Sequence, residues 1–158
     1  MRNKPKVLNL IIFTIIIFGI IMPFIDFAVV IQAFYLLLPF IIISLFSLVA
    51  FILNLIKYKR NIFKQSSTLL TLVLPVFLLS QTISVFTVNK IQRFRSNQII
   101  KKINNNELSI NSNPTISFGI TYYKLQNDDF VVQYERGFLV KEKYNHKKKK
   151  WDSYGWND

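Results

Sequence analysis

The stretch VIQAFYLLLPFIIISLFSLVAFILNLI, residues 30–56, decides the fold of this chain, because it carries no charged side chain from end to end. A helix of about 20 apolar residues spans the hydrocarbon core of a bilayer, which is roughly 30 Å thick. Within that core each backbone amide needs an internal partner, and a helix supplies nearly all of them from its own segment. The stretch therefore predicts a transmembrane helix over about residues 32–56.

Two more apolar stretches without a charged side chain flank it, at residues 7–25 and 69–88. The first follows a basic start, as in a signal peptide, but no small-x-small cleavage site comes after it. We therefore expect an uncleaved span there, and a three-helix transmembrane region over residues 1–88. Each stretch contains one proline, which removes a helical hydrogen bond and can kink the helix. Ordinary membrane-helix prolines are the simpler interpretation, and a functional hinge is the alternative.

The distribution of Lys and Arg predicts the orientation of these spans. The N-terminus carries three basic residues and the loop at residues 57–64 carries four, so both are expected in the cytoplasm. An odd number of spans then places the C-terminal domain in the periplasm or outside the cell. Five basic residues that follow the third span oppose this orientation, although the first helix usually dominates. The richness in Ile, Asn, Lys and Phe suggests a bacterium, so we expect a multi-pass protein of the inner (cytoplasmic) membrane.

Few polar side chains lie inside the spans. Ser80 and Ser84 form a small-xxx-small pair and Gln81 is the one large polar side chain well inside the third span, so these three residues predict interhelical polar contacts. A substrate contact of Gln81 is the alternative. Active carriers place ionisable groups at membrane depth, and the absence of such groups here argues against active transport by a monomer.

The segment at residues 89–103 predicts an amphipathic stalk helix that continues the third span. Ile91, Phe94, Ile100 and Ile103 form a partial apolar stripe with basic residues between them. Such a helix can lie on anionic lipid headgroups, and a solvated stalk is the equally supported alternative.

Residues 104–158 predict a small, basic, soluble β-rich domain. Alternation of apolar and polar residues predicts strands at 115–123, 130–135 and 138–144, with a last short strand within 151–156. Turns are expected at residues 127–129, 136–137 and 145–150. An antiparallel meander of three or four strands is short of core, so we expect it to lean on the stalk helix, the membrane or a partner. The predicted fold class is membrane α-helical plus this meander, α+β overall.

The sharpest local feature is a run of four lysines followed by a tryptophan. Such a run most often forms a solvated turn that discourages edge pairing. It can also contact lipid headgroups or a polyanion, so the candidate contact residues are Lys147, Lys148, Lys149, Lys150 and Trp151. Nucleic acid is not the expected partner, because it requires a cytoplasmic C-terminal domain.

The residue types needed for catalysis are scarce. The chain has no cysteine, one histidine (His146) and four glycines. No His, Cys or carboxylate cluster at ligand spacing accompanies His146, and the adjacent Asp128 and Asp129 are turn formers. We therefore predict no catalytic, cofactor or metal site and no enzymatic activity.

Three functional hypotheses remain. The first is a non-enzymatic membrane protein whose C-terminal domain binds a protein partner, as an accessory or immunity-type protein does. The second is a sensor or effector with a cytoplasmic domain that binds a nucleotide or polyanion. The third is a small oligomeric channel or carrier. The expected partners are membrane lipid and either a protein or a second copy of the chain.

Overall fold

The computed structural model describes residues 4–125 and 129–155. The chain forms two compact units, Met1–Ser84 and Val85–Asp158. The first is helical, and the second contains a five-stranded antiparallel sheet. The predicted α+β class, helical before a C-terminal antiparallel sheet, is therefore confirmed.

Prolines mark the irregular points of the helical unit. The helices are α1 (Lys4–Ile21), α2 (Asp26–Ile31), α3 (Leu37–Tyr58), α4 (Ser66–Thr71) and α5 (Val73–Asn104). A 3₁₀ turn that contains Pro23 follows α1, and a π-helical turn at Gln32–Leu36 joins α2 to α3. Pro39 cannot donate to the carbonyl four residues before it, which lies inside that π-helical turn. Pro75 similarly follows the break between α4 and α5. A second 3₁₀ segment, Lys59–Lys64, precedes α4.

Three helical stretches are long and apolar enough to cross a membrane: Val7–Phe24, Asp26–Phe63 and Val73–Asn104. Most of their large apolar side chains are exposed, although Leu8, Val29, Ile62, Ile100 and Ile103 are buried. No residue of α3 is buried anywhere along its length, and Phe46 exposes 73% of its surface. The buried positions of this unit include the polar Thr68, Ser80, Gln81 and Ser84. Apolar surface outside and polar groups inside suit an apolar solvent.

The sheet is a meander in which each strand pairs with the next. Its strands are β1 (Thr115–Ser117), β2 (Ile120–Lys124), β3 (Phe130–Gly137), β4 (Val140–Asn145) and β5 (Lys150–Tyr154). The single strand predicted at residues 115–123 is wrong, because a turn at Phe118–Gly119 folds it into the β1–β2 hairpin. Ile116 consequently lies opposite Thr121, and it does not share a face with the buried Ile120.

The predicted turn at Arg136–Gly137 is also wrong. A bulge between Glu135 and Gly137 lets β3 continue through Gly137, which pairs with Val140. The chain reverses at the next two residues, both in the left-handed region. The predicted turn at 145–150 lies at His146–Lys149. Of the predicted turn at 127–129, residues 127 and 128 lie outside the described residues.

The core of the second unit forms between the last turns of α5 and one face of the sheet. Ile100 and Ile103 pack with buried residues of β2 and β3: Ile120, Tyr122, Phe130, Val132 and Tyr134. Half of the apolar stripe predicted for the stalk is thus used in this core, whereas Ile91 and Phe94 are exposed. The sheet therefore packs on the last turns of α5, within the predicted stalk helix.

Candidate functional sites

A buried carboxylate is the most constrained polar group of the sheet unit. The side chain of Glu142, on β4, is only 3% exposed. Its Oε2 accepts from Nη2 of Arg93 on α5 at 3.0 Å, and its Oε1 accepts from Nη1 of Arg136 on β3 at 2.9 Å. The hydroxyl of Ser153 on β5 donates to the same Oε1 at 2.8 Å. One acid thereby connects the helix to three adjacent strands.

The register of the sheet explains this convergence. Glu142 lies opposite Tyr134 on one side and Ser153 on the other. Side chains directly opposite one another on adjacent strands project from the same face. That face packs on α5, so an arginine there reaches the carboxylate from above. We name Glu142, Arg93, Arg136 and Ser153 the carboxylate cluster. Two guanidinium donors and a hydroxyl offset the cost of burying the charge.

Aromatic rings extend the carboxylate cluster. The guanidinium of Arg93 lies 4.0 Å from the centroid of the Trp151 ring, and Tyr134 meets Trp151 edge-on at 5.6 Å. The hydroxyl of Tyr134 donates to Oδ1 of Asn89 at 2.6 Å. Burial raises the pKa of Tyr134, which the nearby Arg93 partly opposes. These contacts are structural in character: they fix α5 against the sheet.

The five candidate lipid or polyanion residues do not form one surface. Lys147, Lys148 and Lys149 are exposed in the turn between β4 and β5, and Lys150 begins β5. Trp151 is half-buried on the helix-facing side, beneath Arg93. Because successive residues of a strand point to opposite faces, Lys150 projects away from α5. The basic turn and the tryptophan are therefore separate features.

An open groove of about 670 Å³ lies beside this basic turn. It is lined by the end of α5, the segment that follows it and the adjoining ends of β2, β3 and β4, including Lys124, Asp129 and His146. The His146 ring stacks on Phe130 with centroids 4.3 Å apart, and its Nδ1 is buried without a hydrogen-bond partner among the described residues. No group of three His, Asp or Glu side chains able to hold a metal ion occurs within residues 4–125 and 129–155.

In the helical unit, Gln81 pairs with Gln32. Each side-chain amide donates to the oxygen of the other at 2.9 Å. Ser84 Oγ donates to the carbonyl oxygen of Ile20 at 2.9 Å, whereas Ser80 Oγ donates to Phe77 within its own helix. The structure thus places Gln81 and Ser84 in contacts between helices.

A close approach of two helices explains the position of Ser80. A Cβ built on Gly19 would overlap Ser80 Oγ and lie 2.9 Å from the carbonyl oxygen of Phe77. Glycine at position 19 therefore permits α1 and α5 to touch, as small residues do in membrane bundles.

Sequence reasoning missed Glu142 and the role of Gln32. The sequence does contain a signal for Glu142. Alternate residues of a strand lie on the same face, so Glu142 is an acid between the apolar Val140 and Tyr144. The signal for Gln32 was its chemistry, since an amide in an apolar stretch needs a partner of the same kind. The spacing of Gly19 and Ser80 in the chain gives no such signal.

Comparison with known proteins does not assign this arrangement. No protein-family model, no curated protein and no solved structure matches the chain.

Proposed function

We propose that this chain is a non-enzymatic, multi-pass protein of the bacterial cytoplasmic membrane whose C-terminal sheet binds a protein partner. Support for the membrane location comes from the outward-facing apolar surface of α3 and the inward polar residues of the helical unit. The observation that carries the binding role is the mixed polar face that the sheet presents away from α5. The carboxylate cluster supports this role, because it fixes the sheet to the C-terminal part of α5.

The face of the sheet opposite α5 is the proposed binding surface. One row across it contains Thr121, Gln133, Lys143 and Asp152, which pair in register and are half-exposed. Tyr154 lies on the same face, with Lys143 Nζ 5.9 Å from its ring centroid. Tyrosine is enriched at the hot spots of protein interfaces, and the polar residues around Tyr154 suit the solvent-accessible rim of a non-obligate interface. A sheet held rigidly on a helix also loses little conformational entropy when a partner binds.

Site-specific photo-crosslinking in intact membranes tests this proposal. A photoreactive amino acid at Gln133 is expected to give one discrete protein adduct, because Gln133 lies in the centre of the proposed surface. Gln98, an exposed glutamine on α5, is the matched control and is expected to give no such adduct. Lys143→Glu should weaken the Gln133 adduct. Absence of any protein adduct from Gln133, with the full-length chain present in the membrane, would contradict the proposal.

We propose that the sheet lies in the periplasm or outside the cell, as the basic residues at the N-terminus and at residues 57–64 predict. A reporter fused after residue 158 tests it directly. An enzyme reporter that works only outside the cytoplasm should be active, and one that works only inside should be silent. The reverse result would reject this orientation and favour the second candidate function.

The second candidate function is recognition of a small anionic ligand, and the groove beside His146 favours it. Lys124 and His146 line this groove, and exposed lysines of the adjoining turn raise the local positive potential. Calorimetric titration of the full chain in detergent with ATP, and with inorganic triphosphate as a charge control, tests the idea. A nucleotide sensor should bind ATP more tightly than triphosphate and lose that preference with His146→Ala. Equal weak binding of both would indicate charge attraction alone.

A further inference from the structure

Two turns at one end of the sheet place large apolar residues in an unfavourable backbone conformation. The β1–β2 turn has φ values of 48° at Phe118 and 79° at Gly119, and the β3–β4 turn has 54° at Phe138 and 60° at Leu139. Such two-residue turns normally use Asn or Gly, because a side chain in the left-handed region crowds the backbone. In a meander these two turns lie at the same end, opposite the β4–β5 turn with its lysines.

The first of these turns exposes its aromatic ring almost completely. Phe118 is 83% exposed, and Ile116 on the same hairpin is 74% exposed. The Phe118 ring is not buried, and its backbone conformation is unfavourable for a phenylalanine. Neither packing nor turn geometry therefore explains this residue. Strained, exposed positions of this kind are where a structure suggests a functional contact.

The hairpin tip is fastened to α5. Gln92 Nε2 donates to the carbonyl oxygen of Phe118 at 3.0 Å, and the Arg95 guanidinium lies 5.6 Å from the Phe118 ring centroid. A Cβ on Gly119 would come within 3.2 Å of Gln92 Nε2, so glycine keeps this approach open. The height of Phe118 along α5 is therefore fixed.

If the uncharged stretch that ends at Val88 marks the edge of the hydrocarbon core, Gln92 lies within the headgroup layer and Arg95 just beyond it. The apolar part of α5 carries no charge through Val88, and Lys90 follows with its Nζ 4.5 Å from the Phe86 ring centroid, in a cation–π contact. At 1.5 Å per residue, Gln92 and Arg95 lie about 6 and 10 Å beyond Val88. The polar layer on each side of a bilayer is about 5–8 Å thick.

The charge around the hairpin is complementary to anionic lipid. Residues 85–106 include five basic residues and no acid, and residues 111–124 include no acid either. Ile91 and Phe94 are also exposed, and they share one face of α5 with Arg95 because residues three and four apart are neighbours on a helix. Apolar side chains beside arginine and lysine are the composition of interfacial segments.

We propose that the β1–β2 hairpin is a lipid-contacting wedge, in which Phe118 inserts into the headgroup layer of an anionic membrane while Lys90 and Arg95 bind lipid phosphate. The lysine turn does not take this role. It adjoins the groove lined by Ile103 and Asn104, about 24 Å beyond Val88 at the helical rise, which exceeds two Debye lengths at physiological salt. The wedge holds the sheet close to the membrane surface, on whichever side that unit lies.

Fluorescence quenching tests the wedge in the full chain. Because the sequence contains no cysteine, single substitutions Ile116→Cys and Lys148→Cys accept a fluorophore at opposite ends of the sheet. In vesicles with headgroup-spin-labelled lipid, we expect quenching at position 116 to exceed that at position 148 several-fold. Adding phosphatidylglycerol to phosphatidylcholine should increase the quenching at 116. Equal quenching at both positions, or stronger quenching at 148, would overturn the proposal.

Substitution of the aromatic residue separates a lipid role from a structural one. Phe118→Asn suits the left-handed turn, so it should raise the melting temperature of the sheet in detergent while reducing quenching at position 116. A fall in melting temperature with unchanged quenching would overturn the wedge. Leu45→Cys, in the second apolar stretch, should be quenched by acyl-chain spin labels. If position 45 were not quenched, the proposed membrane location itself would be overturned. If position 45 were quenched and position 116 were not, only the wedge would be overturned.

Discussion

In the unit Met1–Ser84 the buried positions include two serines, a threonine and a glutamine, and bulky apolar side chains cover the outside. In the unit Val85–Asp158 isoleucine, valine and aromatic residues fill the core beside the buried Glu142, and exposed lysines occupy the β4–β5 turn. Both follow from one principle, that a side chain goes where its transfer from the surrounding solvent costs least. With the membrane location that we propose, the difference lies in the solvent, which is lipid for the first unit and water for the second.

The same comparison shows what each unit needs for specificity. In lipid, apolar side chains do not drive helices together, so close contact and polar pairs such as Gln32 with Gln81 select the partners. In water the apolar core supplies the driving force, and the carboxylate cluster fixes how the helix and sheet are aligned. Polar groups are therefore decisive in both units for different reasons. Four sets of substitutions test this comparison.

The largest effect is expected from removing both arginines of the carboxylate cluster. Arg93→Met with Arg136→Met leaves the buried Glu142 with Ser153 as its remaining donor, and an uncompensated buried charge costs about 3–5 kcal/mol. The two arginine side chains are about one third exposed, so we place the loss of unfolding free energy at the lower end, about 3 kcal/mol. Near-ultraviolet circular dichroism of the full chain in detergent should show a melting temperature lower by more than about 10 °C, given roughly 4–8 °C per kcal/mol for a unit of this size.

Two controls interpret that result. The triple variant that adds Glu142→Leu should recover much of the stability, because an apolar replacement of a buried ion pair is often neutral. Lys141→Met removes an exposed ion pair, in which Lys141 Nζ lies 3.6 Å from Glu135 Oε1. It should lower the free energy of unfolding by less than about 1 kcal/mol. If the double arginine variant melted like this control, the carboxylate cluster would have no special role in fixing α5.

A glycine substitution in the helical unit should have the next largest effect. Gly19→Val introduces methyl groups where the carbonyl oxygen of Phe77 is already 2.9 Å from an ideal Cβ, so α1 and α5 must separate. Overpacking of this kind costs about 1–3 kcal/mol. Proteolysis of the full chain in detergent should become faster within residues 1–84, with the sheet's circular dichroism unchanged. The matched control is Ile17→Val, at an exposed position on the same helix, which should leave the proteolysis rate as it is.

The amide pair should contribute less. Gln81→Leu leaves the Gln32 amide without its partner, at a cost of about 1 kcal/mol for a hydrogen bond between membrane helices. Gln32→Leu should cost the same, and the double variant should cost less than the sum of the two. This double-mutant cycle can be measured by steric trapping in bicelles. Additive costs would show that the two amides do not interact, which would weaken the view that polar pairs select helix partners.

Much of the architecture follows from composition and period, but the hairpin does not. The apolar series Ile116, Phe118, Ile120 and Tyr122 keeps its alternation through a two-residue turn, so one strand and two strands look alike in sequence. The turn itself lacks the Asn or Gly at position 118 that normally signals it. Residue preferences for turns do not predict a turn with phenylalanine at its first central position. The hairpin is therefore seen only in the structure.

The candidate sites divide in the same way. Gln81 and Ser84 could be singled out because polarity in an apolar stretch is itself a signal, whereas the partners Gln32 and Ile20 depend on how the helices pack. Glu142 is one acid in a strand that also carries two lysines, and it looks like a solvated charge until its register with the neighbouring strands is known. Local patterns identify elements; contacts between distant residues require the fold.

The smallest and most specific effect concerns pH and the hydroxyl of Tyr134. Burial raises the pKa of this group in the folded chain, so between its unfolded value of about 10 and the higher folded value only the unfolded state ionises. The stability that depends on a neutral Tyr134 is therefore complete below about pH 10 and falls as pH rises above it. Tyr134→Phe removes the hydrogen bond to Asn89, so it should lower the free energy of unfolding by about 1 kcal/mol at neutral pH. Above about pH 10 its melting temperature should decline less steeply than that of the unsubstituted chain. Because lysines and other tyrosines titrate in the same range, the difference between the two chains isolates this group. If the melting temperatures of the two chains declined in parallel, Tyr134 would ionise as readily in the folded sheet as in the unfolded chain. Water would then reach the helix–sheet junction more readily than its contacts indicate.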